Sequence, residues 1–345
     1  MSTGTDAAVA RAAAFLAARQ LPPGGFRLRY GLDPAAHDAV DDDHTVFAAA
    51  LVAHSLGFCD HPYARAALDR AVAYLRARME PGGVWRHWNP THENYHVVAP
   101  DVDDTAYAAP VLRRHGAALP DNRSLLLANR DGRGLFYTWI IARRPPPRHP
   151  RVWAIALKRW RHPFRARALW KVTPADPGDV DGIVNANVLH YLGDGPHAAP
   201  VVAHLRDVLA RREEHRCDAW YRGPFTFYYA VSRAARAGVR GLDATRDVIC
   251  DRITATAAPD GRFGDGPLDT ALGLCALADW EADPPERVRA CEYLEAVQAP
   301  DGSWPAEAFY YIGPQLDPPV ERWGSSELTT GFCLEALARS SSRTS

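Results

Sequence analysis

The stretch DVDDTAYAAPVLRRHG, from Asp101 to Gly116, holds the pattern that decides the fold. An acidic opening leads into an alanine-rich apolar run, and the run ends at a glycine, a residue that commonly terminates helices. Related units begin at or near Asp41, Asp179, Trp220, Asp265 and Glu327. Such an internal repeat predicts an architecture in which similar helical elements pack side by side.

Amphipathic segments alternate with these apolar units. They run over residues 6–20, 62–79, 121–170, 196–212, 242–256 and 285–298. Such alternation is typical of an inner ring of helices inside an outer ring, because only the outer helices need a face toward water. The six pairs predict an all-α fold, an (α/α)6 barrel of six inner and six outer helices that occupies residues 1–345 as a single domain.

Several amphipathic segments end in a glycine turn that is followed by an aromatic residue. These turns end at Phe26, Trp85, Phe263 and Trp304. The last of them reads QAPDGSW, from Gln298 to Trp304. We expect the glutamine to cap an outer helix, the glycine to make the turn and the tryptophan to pack over it.

Three carboxylates, Asp101, Asp103 and Asp104, occupy four consecutive positions. Like charges this close cannot all ionise cheaply, so at least one carboxyl is expected to hold its proton near neutral pH. Such an acid in apolar surroundings can protonate a weak base, of which a carbon–carbon double bond is an extreme case. A plainer interpretation is that Asp101 caps the helix and the other two acids sit in its first turn.

The two motifs carry a resemblance to a known family. The segment Gln298–Trp304 resembles the QW repeat of squalene–hopene and oxidosqualene cyclases, and Asp101–Ala106 resembles the DxDD motif of class II terpene cyclases. The resemblance implies that Asp103 is the proton donor and that Asp101 and Asp104 hydrogen-bond around it. It also implies a dry cavity with aromatic walls and an isoprenoid substrate. Most of these cyclases pair two helical barrels, whereas this chain has length for one.

Aromatic residues at the starts of inner helices and in connecting loops are candidates for a cavity wall, although each could equally be ordinary core. They are Trp88, Tyr95, Tyr107, Phe136, Trp139, Trp220, Phe227, Tyr228, Tyr310 and Trp323. His96 is a candidate to polarise the donor or to accept the terminal proton. Asn185 and Asn187 open the third inner helix and would orient a polar substrate end or bond within the barrel.

Metal chemistry is not expected. The sequence lacks the DDxxD motif of class I terpene synthases and the Asp, Cys and His pattern of the prenyltransferases that bind zinc. We therefore expect no required cofactor, and magnesium only if the substrate carries a diphosphate. The six cysteines are scattered without a CxxC pair, which favours reduced thiols in a cytoplasmic protein.

Positive charge is concentrated in one segment, predicted to be an insert around residues 143–171. Ten lysine and arginine residues and no acid lie between Arg143 and Lys171, interleaved with three tryptophans, so the rest of the chain has a net charge of −11. A basic segment with tryptophans indicates contact with an anionic membrane surface or an acidic partner, and a solvated outer helix is the alternative. Nucleic acid is not expected as a partner, because no recognised module accompanies the basic segment.

Three classes of function fit these patterns. The leading hypothesis is a proton-initiated cyclase or isomerase that acts on a polyprenyl or prenylated substrate. A second is a glycoside hydrolase or lyase, in which Asp103 would face Asp43, Asp181 or Asp269 across a cleft. The third is a non-catalytic barrel that binds a lipid, a peptide or a carrier protein. We expect a cytoplasmic protein, peripheral to a membrane at most, since the N-terminal residues form a helix pattern and no apolar run could span a bilayer.

Overall fold

The computed structural model describes residues 3–31, 43–92, 94–141, 176–312 and 321–341, together with residues 150, 153 and 155. Asp41, Asp42 and nearly all of the basic segment 143–171 lie outside the described residues.

Two concentric rings of helices make up most of the described part of the chain. The inner ring consists of α2 Val46–Leu56, α4 Val102–Arg114, α6 Gly182–Leu192, α8 Pro224–Arg236, α10 Pro267–Asp279 and α12 Ser326–Ser341. The outer ring consists of α1 Thr3–Arg19, α3 Pro62–Arg78, α5 Arg123–Leu127, α7 Ala198–Arg211, α9 Arg246–Thr254 and α11 Glu286–Val297. Each inner helix packs against the next, and α12 packs against α2, which closes the ring. The predicted (α/α)6 barrel is confirmed.

The two rings differ in burial as their compositions predict. Every residue of α2 is buried, because this helix has neighbours on all sides. In α3 the buried residues recur every three or four positions, from Ala64 through Leu68 to Leu75, and leave one face toward water. None of the described helices is long and apolar enough to cross a bilayer.

The turn at Gln298 joins outer helices as well as ending one. Gln298 caps α11, and its Nε2 donates to the carbonyl of Gly302 at 3.0 Å and to that of Ala8 on α1 at 2.9 Å. The Trp304 indole is fully buried and donates to the carbonyl of Leu294 at 2.9 Å. The turn therefore fastens α11 to α1 and closes the outer ring.

A four-stranded antiparallel sheet, which the sequence did not predict, lies beside the inner helix starts. Its strands run in the order β2 Asp43–His44, β1 Arg27–Gly31, β4 Glu321–Gly324 and β3 Tyr310–Ile312. The strands are two to five residues long, and β1 pairs with β4 from the other end of the chain. Alternation of apolar and polar residues within such short stretches gives almost no signal for a strand. β2 and β4 lead directly into α2 and α12, so the sheet is placed against the mouth of the barrel.

We predict that Gly302→Ala destabilises the protein strongly. Gly302 has φ +91°, and an added Cβ would collide with the backbone carbonyl of Arg11 on α1. Gly116 (φ +66°) is a matched control, because nothing lies near its missing Cβ. Gly116→Ala should cost only the backbone penalty of about 1–2 kcal/mol, and Gly302→Ala about 2 kcal/mol more from overpacking. Urea denaturation measures both, and equal costs would contradict the close approach of α11 and α1.

Candidate functional site

The acidic motif forms the start of α4. Asp101 is the N-cap residue, and its Oδ1 accepts the backbone N–H of Asp103 at 2.6 Å. The Asp101 backbone N–H donates to the carbonyl of Trp85 at 2.9 Å, and the hydroxyl of Thr105 donates to the Asp101 carbonyl at 2.7 Å. The expected cap is thus observed, and it fixes the first turn of the helix.

Asp103 is buried with 5% of its surface exposed, and both of its carboxyl oxygens are hydrogen-bonded. The Nδ2 of Asn187 donates to Oδ1 at 2.8 Å, and the Tyr221 hydroxyl donates to Oδ2. These partners come from α6 and from the loop before α8, whereas we expected Asp101 and Asp104 to bond around this carboxyl. Successive residues of a helix point about 100° apart, so the three acids face different neighbours.

Asp104 has a different environment from Asp103. It is 1% exposed, its Oδ1 lies 3.8 Å from Nδ1 of His87, and its Oδ2 has no hydrogen-bond partner among the described residues. The other ring nitrogen of His87 lies 3.0 Å from the Tyr310 hydroxyl. A chain of polar groups therefore runs from the acidic motif to β3.

Burial raises the pKa of all three acids, but by different amounts. Burial and the charge of Asp103 hold the pKa of Asp104 well above its ordinary value, and burial with both neighbouring carboxyls does the same for Asp101. For Asp103, burial raises the pKa, while the hydrogen bonds from Tyr221 and Asn187 oppose the rise. Burial therefore favours the protonated form of Asp103, and its ionised form is stabilised by side-chain donors from two other segments of the chain.

Aromatic rings converge on Phe47, in the first turn of α2. Ring centroids lie 5.8 Å away at Tyr107, 5.7 Å at Tyr310 and 6.0 Å at Phe309. The ring of Tyr221, which holds Asp103, lies 6.4 Å from Phe47 and 5.5 Å from Phe309. The carboxyl and the aromatic cluster are therefore parts of one site.

Several predicted wall residues belong to this site. Tyr107 is in the cluster, and Tyr310 stacks on Trp323 at 5.5 Å with nearly parallel rings. Trp88 lies 4.3 Å from the ring of His87 and 5.8 Å from that of Trp323. Asn187 joins the site through Asp103. These residues sit on five separate segments, which the barrel brings together.

Other predicted residues lie elsewhere. Trp139 and Trp220 pack on each other at 5.9 Å in a small apolar cluster, and the indole of Trp139 donates to Asp179. Asn185 uses its amide on backbone groups of Phe136 and Asp181, so it bonds within the barrel. Phe136 lies in the turn after α5, edge-on to His197, and Phe227 is fully buried core.

Tyr95, His96 and Tyr228 are also displaced from the aromatic cluster. The Tyr95 hydroxyl donates to Glu80, and His96 is exposed with its ring 4.9 Å from that of Tyr95. The histidine beside the acidic motif is His87. Tyr228 lines an outer cavity of about 460 Å³ with Arg212, Glu214 and Arg252. Its neighbour Tyr229 points the other way, and its ring lies 5.5 Å from that of Phe332.

Sequence reasoning missed five residues of the site, which are Phe47, His87, Tyr221, Arg233 and Phe309. Phe47 and Tyr221 do stand at or just before inner helix starts, which is a signal that could have identified them. Arg233 had no such signal. It is 3% exposed, and its guanidinium lies 4.6 Å from the ring centroid of Tyr107 and 5.1 Å from that of Tyr229.

A second pair of buried acids, Asp181 and Asp218, lies next to the Asp103 site. Burial, together with the nearby Asp179 and Asp103 carboxyls, raises the pKa of Asp181 to about 7. Burial and the Asp181 carboxyl raise the pKa of Asp218 well above its usual range. Both side chains accept backbone N–H groups of the loop before α8, so they help to hold that loop in place.

No cluster of three or more histidine, cysteine, aspartate or glutamate side chains suited to a metal ion occurs among the described residues. All six cysteines are free thiols, in agreement with the expectation from their spacing.

Comparison with known proteins gives structural matches alone. No protein-family model and no curated protein matches the chain. A complex of the type II terpene cyclase MstE from Scytonema with its substrate geranylgeranyl dihydroxybenzoate matches with a TM-score of 0.72, at 16% identity over 98% of each chain. The MstE complex with the product merosterolic acid A gives 0.73, at 17% identity over 98% of this chain and 97% of that one.

A second kind of cyclase matches over part of its length. The ent-copalyl diphosphate synthase from Streptomyces platensis gives a TM-score of 0.50 at 20% identity, covering 86% of this chain and 50% of that one. At these identities the likeness concerns the course of the backbone. The chain has the helical barrel fold of the type II terpene cyclase MstE.

Proposed function

We propose that this protein is a class II-type terpene cyclase, an enzyme that starts cyclisation or isomerisation of a polyprenyl or prenylated substrate by proton transfer from Asp103. The observation that carries the proposal is the buried Asp103 carboxyl beside a cluster of aromatic rings. Protonating an alkene requires an acid that is loaded at working pH and whose conjugate base is stabilised once the proton has left. Burial supplies the first condition, and Tyr221 with Asn187 supplies the second.

The aromatic cluster supports the same chemistry. Proton transfer to an alkene leaves a carbocation, which ring faces stabilise without forming a bond to it. Phe47, Phe309 and Phe332 carry no nucleophilic atom, and Phe309 stacks on Phe332 at 5.1 Å. All three rings are buried, so they also exclude water, which would otherwise quench the cation.

The structural neighbours support the proposed substrate class. MstE was captured with a geranylgeranyl chain attached to a dihydroxybenzoate head group. A chain of the same fold and nearly the same length, with a buried acid and an aromatic cluster, supports a prenylated substrate that also combines an apolar tail with a polar head. We infer that the reaction requires no metal.

The glycoside hydrolase hypothesis receives less support. Both carboxyl oxygens of Asp181 accept protein hydrogen bonds, from Thr138 and Ala219, so this acid serves the structure. Asp269 lies at the start of α10, where its carboxyl accepts the backbone N–H of Asp265. Burial raises the pKa of Asp269 to about 6. The side chain of Asp43 lies outside the described residues.

We predict that Asp103→Asn reduces turnover of a linear prenylated substrate at least about 100-fold, the lower end of the contribution of a positioned acid. The amide fits the same space but has no transferable proton. Product formation would be followed by mass spectrometry with EDTA present throughout, and the wild-type protein should remain active under this condition.

The matched control is Asp69→Asn, at an exposed position of the outer helix α3. Thermal unfolding would confirm that both variants are folded. Full activity of the folded Asp103→Asn protein would show that the acid is wrongly assigned, and loss of wild-type activity in EDTA would show that a metal takes part.

The pH dependence should report the raised pKa of Asp103. The protonated carboxyl is the active form, so activity should persist below this pKa and fall as pH rises through it. Because burial raises the pKa, the fall should occur above the range of an ordinary aspartate. Tyr221→Phe removes a bond that lowers this pKa, so it should move the fall to higher pH while the maximal rate decreases. The pH dependence of kcat in the wild-type and Tyr221→Phe proteins measures this shift. A fall in kcat at the same pH in both proteins would contradict the prediction.

Membrane contact through residues 143–171 is a further part of the proposal, because an apolar isoprenoid chain partitions from water into a bilayer and a basic segment with tryptophans is suited to an anionic membrane surface. Replacing the lysines and arginines of this segment with glutamine should weaken binding to vesicles that contain anionic phospholipid, as measured by cosedimentation. The control replaces the exposed Arg206, Arg216 and Arg246 of the outer surface. If both variants bound the vesicles equally well, the proposed membrane contact through residues 143–171 would be contradicted.

A further inference from the structure

The loop that carries Tyr221 is bonded by a buried carboxyl group, that of Asp218. We propose that Asp218 is a positioning residue that holds the Tyr221 hydroxyl against Asp103 and thereby sets the acid strength of the donor. The inference rests on the proposed function, and it adds a residue that acts through Tyr221 and not through the substrate.

The bonds of Asp218 run to both sides of the loop. Its Oδ1 accepts the backbone N–H groups of Trp220 at 2.9 Å and Tyr221 at 3.2 Å. Its Oδ2 accepts the backbone N–H of Ile183, in the first turn of α6, at 3.2 Å. One side chain, 2% exposed, thus joins the backbone of Tyr221 to the helix that carries Asn187, the other hydrogen-bond donor to Asp103.

Asp181 extends this connection to α4. Its Oδ1 accepts the backbone N–H of Ala219 at 2.9 Å, and its Oδ2 accepts the Thr138 hydroxyl at 2.5 Å. The carbonyl of Thr138 accepts the backbone N–H of Val102, the first residue of α4, at 2.9 Å. The three segments that meet at Asp103 are therefore tied to one another through Asp181 and Asp218.

The loop needs these bonds because it forms no helix or strand of its own. Residues 212–223 connect α7 to α8 without helix or strand structure, so the buried N–H groups of this loop require side-chain acceptors. The Tyr221 side chain reaches Asp103 only if its backbone stays at the α6 start. A shift of the loop would lengthen the hydroxyl–carboxylate contact, and hydrogen bonds lose strength steeply with distance and angle.

Asp218→Asn tests the proposal in combination with Tyr221→Phe. An amide keeps one acceptor oxygen, so the variant loses the bonds on one side of the loop. If Asp218 acts through Tyr221, each single variant should lower kcat about 10- to 100-fold with little change in KM, as expected for loss of a hydrogen bond to a charged oxygen. The double variant should be no slower than Tyr221→Phe alone, because the interaction is already absent. If the fold-decreases in kcat caused by Asp218→Asn and Tyr221→Phe multiplied in the double variant, the proposal would be overturned.

The matched control is Asp131→Asn. Asp131 also accepts two loop N–H bonds through one oxygen, from Arg133 and Leu135, both at 2.9 Å. It lies in the turn after α5, apart from Tyr221. Asp131→Asn should lower kcat only slightly. Its fold-decrease should multiply with that of Tyr221→Phe in the double variant, because the two sites act independently. If Asp131→Asn also lowered kcat but had no further effect in the Tyr221→Phe background, the comparison of single and double variants would report a general loosening of the fold.

A second readout does not depend on turnover. The Asp103 carboxyl band in infrared spectra, assigned by its absence in Asp103→Asn, can be titrated in each variant. Asp218→Asn and Tyr221→Phe should raise the titration midpoint of Asp103 by similar amounts, because both remove the same stabilisation of the carboxylate. An unchanged midpoint in Asp218→Asn would refute the positioning role even if the protein turns over no isoprenoid at all.

If Asp218→Asn does not fold, Asp218→Ser provides the same test with a milder change. The serine hydroxyl can still accept N–H bonds from the two following residues, but it cannot reach Ile183. The Asp103 midpoint should then lie between those of the wild-type and Tyr221→Phe proteins, and a wild-type midpoint would count against the proposal.

Discussion

The structure depends on a carboxyl that is buried at a helix start and bonded by groups from two other parts of the chain. Asp103 would be costly to bury alone, because an isolated charge loses its hydration in the core. Burial raises the pKa of Asp103 and so favours the uncharged form, and the Asn187 amide and Tyr221 hydroxyl supply bonds that neighbouring acids could not supply. Closing the ring of inner helices brings these donors together, so barrel closure and acid strength are linked.

The barrel has two polar ends with different chemistry. At the starts of the inner helices, the acids stand beside aromatic rings. Toward the opposite end, Glu335 accepts bonds from Ser55 and Tyr229, and Arg339 bonds both Glu335 and Asp279. These buried groups pair with one another, which is how charge is tolerated in a core. Beside them, burial and the charge of Arg233 hold the pKa values of His54 and His190 well below their ordinary value, which favours the neutral form of both rings.

Under the proposed function, aromatic walls beside a buried acid would allow a fold with one barrel to control a carbocation. The cluster around Phe47 joins α2, α4, the loop before α8 and the strand β3. Each segment contributes rings, and the sheet places the stacked pair Tyr310 and Trp323 next to His87. Changes in these short segments would reshape the site without disturbing the two rings of helices, which is a route to different products on one scaffold.

The sequence by itself determined the helical rings and the acidic helix start. The alternation of apolar and amphipathic segments predicts the six inner and six outer helices seen in the described part of the chain, and Asp101 caps α4 through local contacts that spacing alone can reveal. Only the tertiary structure decided which groups bond to Asp103, because Tyr221 is 118 residues away in sequence. It also decided that Tyr228 faces an outer cavity while Tyr229 faces inward, and that four short strands form a sheet. Periodicity reports burial along one element, whereas contacts between elements depend on how the ring closes.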